Sequence, residues 1–382
     1  MNNSVVIVGT GLAGYTTAKE FRKHDPDSRL TLITADDGRA YSKPMLSTAY
    51  RKGQTPEDLV QADSEGMEEM LNAEIITGVD VRAIEPEAGR LVFDDGHLEY
   101  DQLVLAVGAD TLPVPAQGPA MDQVYQVNDL TQYGRFRKVA DRARRVLIIG
   151  GGLIGCEFAN DMTEGGFAVD MVFPERQPLP NLLPADAGGV LASALTDLGV
   201  SIHAGRTVDR VERDGEGVLA VLSDGSSVQA DVVLAAVGLR PRTALAADAG
   251  LTVDRGIAVD RWLRTSGSSI YALGDCAEVE GYNLCFVAPL TASARALGRT
   301  LAGDETAVRY PVMPVTVKTS CCQVVCWPPP AGVDGHWSMD GEGHDLRGEY
   351  RNDDGTLLGF LLMGQRIRER MALSGQMEPL IP

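Results

Sequence analysis

The sequence predicts an α/β protein, because one unit of strand, glycine turn and helix occurs twice, about 140 residues apart, each time followed by a further apolar strand. A third observation comes from the segment beyond about residue 309. There Gly355 to Leu362 reads as a strand after an Asp353-Asp354-Gly355 turn, and Gln365 to Leu373 as a helix. The expected architecture is two Rossmann-like domains and a smaller C-terminal α+β domain.

In the first unit Val5-Val6-Ile7-Val8 runs into Gly9-Thr10-Gly11-Leu12-Ala13-Gly14, a helix through about Lys23, a strand from Leu30 to Ile33, and then Thr34-Ala35-Asp36-Asp37. In the second, Arg145 to Ile149 runs into Gly150-Gly151-Gly152-Leu153-Ile154-Gly155, a helix through about Thr163 and a strand from Ala168 to Phe173. The first glycine of such a turn permits the tight bend, the second lets backbone approach a pyrophosphate, and the third lets helix and strand pack closely, with phosphate charge at the helix N-terminus. Asp36 lies 22 residues after Gly14 and Glu175 lies 20 after Gly155, the spacing of an acid that binds a ribose hydroxyl. One glycine-rich turn alone could be a packed structural turn, but two in the same context point to two nucleotide sites.

The candidates are Gly9, Gly11, Leu12, Ala13, Gly14, Thr34, Ala35 and Asp36 for one nucleotide and Gly150, Gly152, Gly155 and Glu175 for the other. FAD with NAD(P)H is the usual pair for such an arrangement. On this reading residues 1–110 and 245–308 form a discontinuous FAD-binding domain, 111–244 an NAD-binding domain and 309–382 the C-terminal domain. A short apolar strand ending in Gly274-Asp275 precedes Val287-Ala288-Pro289 and a helix from Leu290 to Ala302. Asp275 could hydrogen-bond a ribityl hydroxyl or simply cap a turn, and a helix N-terminus after it can stabilise negative charge.

Composition narrows the function classes. At 382 residues, 44% hydrophobic and 23% charged, the chain suits a multidomain enzyme, and no apolar run approaches the ~20 residues a membrane span needs. Met1-Asn2-Asn3-Ser4 has no basic segment before the first strand, so no signal peptide is expected and the cytoplasm is the expected compartment. A net charge of −19 disfavours nucleic acid, and an acidic partner would need a local basic or apolar contact. The six cysteines, at 156, 276, 285, 321, 322 and 326, form no C-x-x-C and are expected to be reduced. The run Cys321 to Cys326 reads as small buried hydrophobes rather than as a metal or redox site.

Together these segments resemble the two-dinucleotide flavoprotein reductases, the group containing glutathione reductase and the NADH-dependent ferredoxin and rubredoxin reductases. The resemblance spans nearly the whole chain. Leu103 to Ala109 and Val232 to Pro241 look like the family's crossover strands, with Gly108 and Gly238 letting backbone lie close to a cofactor. Where disulfide reductases of the group carry a cysteine pair, this chain reads Arg39-Ala40-Tyr41-Ser42-Lys43-Pro44-Met45-Leu46-Ser47. That run is similar to the rubredoxin reductases, in which a lysine lies near the flavin N5; alone, Lys43 could be a solvated surface lysine.

The resemblance further implies roles for four positions. Glu157 would sit at the flavin and nicotinamide face and position Lys43 or the carboxamide, its alternative being a helix first-turn acid. Val81 would meet the adenine end, Val287 the flavin ring and Lys318 the flavin from the last domain, ordinary packing being the alternative for both valines. An arginine common in relatives near Asn128 is missing. At the second site Pro174-Glu175-Arg176 favours NADH over NADPH, although Arg176 could meet a 2′-phosphate. The implied reaction is hydride transfer from NADH to FAD followed by single electrons to rubredoxin, feeding an alkane-oxidising system, with Lys43 and Glu157 as catalytic residues. Other acceptors (a ferredoxin, a flavo-diiron protein or dioxygen) and a non-enzymatic flavin-binding redox sensor are the alternatives.

Overall fold

The computed structural model describes residues 4–382; the reading of Met1, Asn2 and Asn3 as lacking a leader lies outside them. Both glycine-turn units fold as parallel sheets. In the first, the strands lie in the order Ile270–Ala272, Gln102–Leu105, Ser4–Val8, Arg29–Ile33 and Glu74–Ile76. In the second the order is Val124–Gln126, Val232–Ala235, Arg145–Ile149, Ala168–Phe173 and Ser201–Ala204. The interior strands are continuous apolar runs, as strands covered on both faces must be. Val5, Val6, Ile7, Leu147 and Ile148 are wholly inaccessible.

In each sheet the strand before the glycine turn lies between one neighbour that follows it directly and one that arrives much later. The strand 4–8 pairs in register with 29–33 on one side and 102–105 on the other. The strand 145–149 does the same with 168–173 and 232–235. The carboxyl end of that strand is therefore a topological switch point, where an open α/β sheet leaves a crevice. The strand 270–272 joins the first sheet after the whole second sheet has been built, so that sheet draws on both sides of the intervening segment.

The two sheets are connected through one narrow element. Ala109–Thr111 and Leu239–Pro241, which follow Gly108 and Gly238, pair antiparallel with Asp110 opposite Arg240. The C-terminal part is a five-stranded antiparallel sheet in the order Val315–Val317, Val324–Trp327, Leu357–Met363, Asp345–Arg351 and His336–Glu342. One face of it contributes Val317, Val324, Cys326, Leu361 and Met363 to the apolar core that also holds Leu46, Phe136, Phe158 and Met171. Cys322 and Cys326 are thus core-packing residues. The expected helix from Gln365 to Leu373 is instead a 3₁₀ segment, Gly364–Glu369, followed by a short α-helix, Arg370–Ser374. Four of its first seven residues are Gly or Arg, and the turn is held by Asp345 and Gln323 rather than by an apolar stripe along its length.

The helices Leu12–Arg22 and Val287–Leu301 cross closely over the first sheet at Gly298. A β-carbon there would stand 2.7 Å from the carbonyl carbon of Glu20 and from the amide nitrogen of Phe21. Gly298→Val is expected to destabilise the chain by about 1–3 kcal/mol through overpacking, read as a lower urea midpoint.

Candidate functional site

The two glycine turns are the same local solution built twice. Gly9 and Gly150 have φ of +108° and +122°, and a β-carbon on either would lie 2.4 and 2.3 Å from the carbonyl oxygens of Ala106 and Ala236. A β-carbon on Gly14 or Gly155 would strike the first glycine's own carbonyl oxygen, at 1.9 and 2.1 Å. Packing therefore demands these four glycines. At Gly11 and Gly152 a β-carbon would meet nothing within 4 Å. Each is the N-cap of the following helix, neither helix has a side-chain cap, and neither has an acid in its first turn. Open space above a glycine, with unsatisfied N–H groups and a positive helix end behind it, fits a pyrophosphate.

Beyond the first turn, Asp36 is exposed, and its Oδ1 accepts from the hydroxyls of Thr10 (3.1 Å) and Thr34 (2.7 Å) and from the Gly38 amide (3.0 Å). This fixes the carboxylate at the strand end, where it can accept from a sugar hydroxyl. Thr34 is buried and Ala35 exposed, and Val81 opens a separate antiparallel strand opposite Phe93. Leu12 and Ala13 begin the helix, and Gly274, at φ +78°, packs so tightly against Ala13 that a β-carbon would come within 2.8 Å of it. That contact places Asp275 beside the first turn. Val287 is the first residue of its helix and is 43% exposed, so an apolar side chain faces open space at a helix N-terminus. At the second turn Glu175 and Arg176 are both exposed. Gly238 lies in the hinge, where its carbonyl accepts from the Leu112 amide (2.9 Å).

On the helix that follows the second turn lies one carboxylate of a buried ionic node. Glu157 has no accessible surface. Its Oε2 lies 2.7 Å from Lys318 Nζ and accepts from Ser47 Oγ (2.6 Å), while Oε1 accepts from the Lys318 amide (3.1 Å). Lys318 Nζ also donates to Pro44 O (2.5 Å) and Ser47 Oγ (3.0 Å). The Glu157 carboxylate thus positions Lys318, not Lys43, and it stands beyond the first helical turn, so the dipole does not account for it. Lys43 turns instead toward Asp275, with Nζ 3.6 Å from Oδ2. Two cations from different parts of the chain are therefore each held by a carboxylate, Lys43 by Asp275 and Lys318 by Glu157.

The helix Leu153–Glu164 extends this seam. Asp161 accepts from the amides of Tyr50 (2.9 Å) and Arg51 (3.2 Å), and Asn160 Oδ1 accepts from the Cys321 amide (3.1 Å). Burial pushes the Asp161 carboxyl above the ordinary range despite those amides and Arg51. Asn128 Nδ2 donates to Ala109 O (2.7 Å) at the hinge, which leaves its Oδ1 buried and without a protein partner. Ser47, Asn160 and Asp161 were not anticipated from the sequence. The signal was present: Glu157, Asn160, Asp161 and Glu164 recur at helical spacing on one stripe of a helix whose other residues, Thr163 apart, are apolar or small.

Fold and site define a flavin- and pyridine-nucleotide-dependent oxidoreductase class, and sequence comparison agrees: the chain belongs to the Pyridine nucleotide-disulphide oxidoreductase family, which it matches over residues 3–294. Residues 307–377 match the Rubredoxin binding C-terminal domain. The chain is 50% identical over 379 residues to a rubredoxin-NAD(+) reductase of Alcanivorax borkumensis, covering 99% of each. A rubredoxin-NAD(+) reductase of Acinetobacter baylyi is 39% identical over 387 residues, with 99% of this chain and 98% of that one covered. Among solved structures, a ferredoxin reductase from Rhodopseudomonas palustris superposes with a TM-score of 0.87 at 27% identity, covering 97% of this chain and 93% of that one.

Glu157→Gln keeps the shape of the node but removes its charge, and is expected to lower the unfolding free energy by about 1–3 kcal/mol, measured by urea denaturation. All six cysteines are unpaired. Burial pushes the thiols of Cys322 and Cys326 up to about 12. Because a raised thiol pKa leaves little thiolate at pH 8, iodoacetamide should alkylate these two cysteines in the folded chain at least tenfold more slowly than free cysteine, with the rate rising toward pH 10, as read by mass spectrometry of the labelled peptides.

Proposed function

We propose that the chain transfers reducing equivalents from NADH, through bound FAD, to rubredoxin. The observation that carries this reading is the Glu157–Lys318 bridge, which ties the segment matching a rubredoxin-binding domain directly to the helix that follows the second glycine turn. The two named rubredoxin-NAD(+) reductases, similar over essentially their whole length, support the same acceptor.

In this assignment Gly9, Gly11, Leu12, Ala13, Gly14, Thr34, Ala35 and Asp36 hold the adenosine diphosphate half of FAD, with Val81 at its adenine end. Asp275, Val287, Lys43 and Lys318 surround the flavin half, with Glu157 behind Lys318 and Gly238 at the hinge. Gly150, Gly152, Gly155 and Glu175 hold the nicotinamide dinucleotide. When bound, the flavin supplies an acceptor for a two-electron hydride that can give up electrons one at a time. The chain supplies position and charge. The open turn at Gly152 orients the dinucleotide pyrophosphate, Val287 presents an apolar surface that excludes water, and the Val287–Leu301 helix end and Lys43 offer positive potential where negative charge develops. No side chain is asked to move a proton at carbon. Six unpaired thiols suit a cytoplasmic setting.

The test is an anaerobic titration with NADH while following the flavin band, then addition of oxidised rubredoxin. Bleaching and rapid recovery are expected; bleaching without recovery would remove rubredoxin as acceptor, and a colourless protein would remove the flavin. Lys43→Met should retain flavin but slow bleaching at saturating NADH about tenfold or more.

A further inference from the structure

Among the described residues, seven buried side-chain nitrogen or oxygen atoms have no hydrogen-bond partner, and only one of them, Asn128 Oδ1, stands at the crossover between the two glycine-turn sheets. Buried polar atoms are nearly always satisfied, so an orphan at such a place calls for a partner from outside the chain. The amide cannot simply be turned round. Its Nδ2 donates to Ala109 O (2.7 Å), which leaves the oxygen as an acceptor. What is missing is therefore an N–H or O–H, which an ionised phosphate or carboxylate does not supply.

The side chain is held in place from both sides. Asn128 follows the edge strand Val124–Gln126 of the second sheet, and its backbone amide donates to Gln132 Oε1 (2.8 Å) in the helix Leu130–Ala140. Two residues on, the Leu130 amide donates to the hydroxyl of Tyr41 (3.1 Å), in the run that leads to Lys43. Arg242, which also bonds this crossover, is already spent. Its amide donates to Gly108 O (3.0 Å), and its guanidinium to Val107 O (3.1 Å) and Asp110 (2.7 Å). Gly108 itself, at φ +71°, has open space where a β-carbon would stand.

The strand order of the first sheet says which part of a bound FAD passes here. Across that sheet, 29–33 leads to Asp36, 4–8 to the Gly11 turn, 102–105 to Gly108 and Ala109, and 270–272 to Asp275. On the functional reading above, a ribose lies at Asp36, the pyrophosphate on Gly11 and the flavin beyond Asp275. The ribityl chain that joins pyrophosphate to flavin then crosses the end of 102–105, and its hydroxyls are donors. Resting on that reading, we infer that Asn128 Oδ1 accepts a hydrogen bond from a ribityl hydroxyl of FAD. The residue sits in the segment assigned to the NAD-binding domain, so both nucleotide domains grip the one cofactor.

The experiment titrates the flavin-free full chain with FAD and with its 2′-, 3′- and 4′-monodeoxyribityl analogues, following flavin fluorescence, for the wild type, Asn128→Ala and Asn128→Asp. One analogue should bind the wild type about fivefold or more weakly than FAD does. That penalty should vanish in Asn128→Ala, which has lost the acceptor, and persist in Asn128→Asp, which keeps an oxygen there. A hydroxyl bonded by Asp275 alone carries the same penalty in all three proteins and is told apart in this way. If no analogue binds the wild type more weakly than FAD, or if every penalty is the same in the wild type and Asn128→Ala, the assignment is overturned. A penalty lost equally in Asn128→Asp places the effect on the Nδ2 bond to Ala109 and overturns it too. A wild type that binds no FAD overturns the functional reading itself.

Discussion

A carboxylate with no access to water must be matched by positive charge and hydrogen bonds, or it would take a proton instead. Glu157 is matched by Lys318 Nζ, the Lys318 amide and the Ser47 hydroxyl, so both oxygens are used. Its partners come from a loop near residue 45 and a strand end near 318, while Glu157 itself rides on the helix after the second glycine turn. Removing the Lys318 ammonium would leave charge buried and unpaired, and removing the Ser47 hydroxyl would cost one of the carboxylate's hydrogen bonds. The three parts of the chain are consequently held in one arrangement by a polar requirement, while the apolar core around them would tolerate many small shifts.

The same requirement explains what could be read from the sequence. The glycine turns were legible because their constraints are local: Gly9, Gly14, Gly150 and Gly155 answer to backbone atoms of their own turn or of the adjacent strand end, and the strand and helix periods on either side are strong. The strand 357–363 was legible for the same reason. The partner of Glu157 was not, because Lys318 is 161 positions away and nothing in the run Val315-Thr316-Val317-Lys318 states which carboxylate it meets. Lys43 was singled out as a cation of the site, but its neighbour Asp275 is likewise assigned only once Gly274 is pressed against Ala13. The 3₁₀ character of 364–369 escaped for a different cause: its hydrogen bonds run to Gln323 and Asp345, outside the window in which helical period is judged.

A division of labour among the glycines also follows. The outer two of each turn are fixed by packing and would be required in an empty fold. The middle ones, Gly11 and Gly152, face open space and are intelligible only if something large approaches their backbone. Two such positions, each at a helix N-terminus and at a switch point, make nucleotide binding a property of the architecture rather than of any single side chain.

The paired segments 109–111 and 239–241 are the crossover between the first two sheets, whereas the ionic node fastens the intervening segment at a separate place. Mechanically this is a door with its hinge at one site and a latch at another. A joint of two short strands fixes little by itself, so what sets the angle at which the parts meet is the fastening remote from it: the ion pair, the Asp161 bonds to the Tyr50 and Arg51 amides and the apolar core around them.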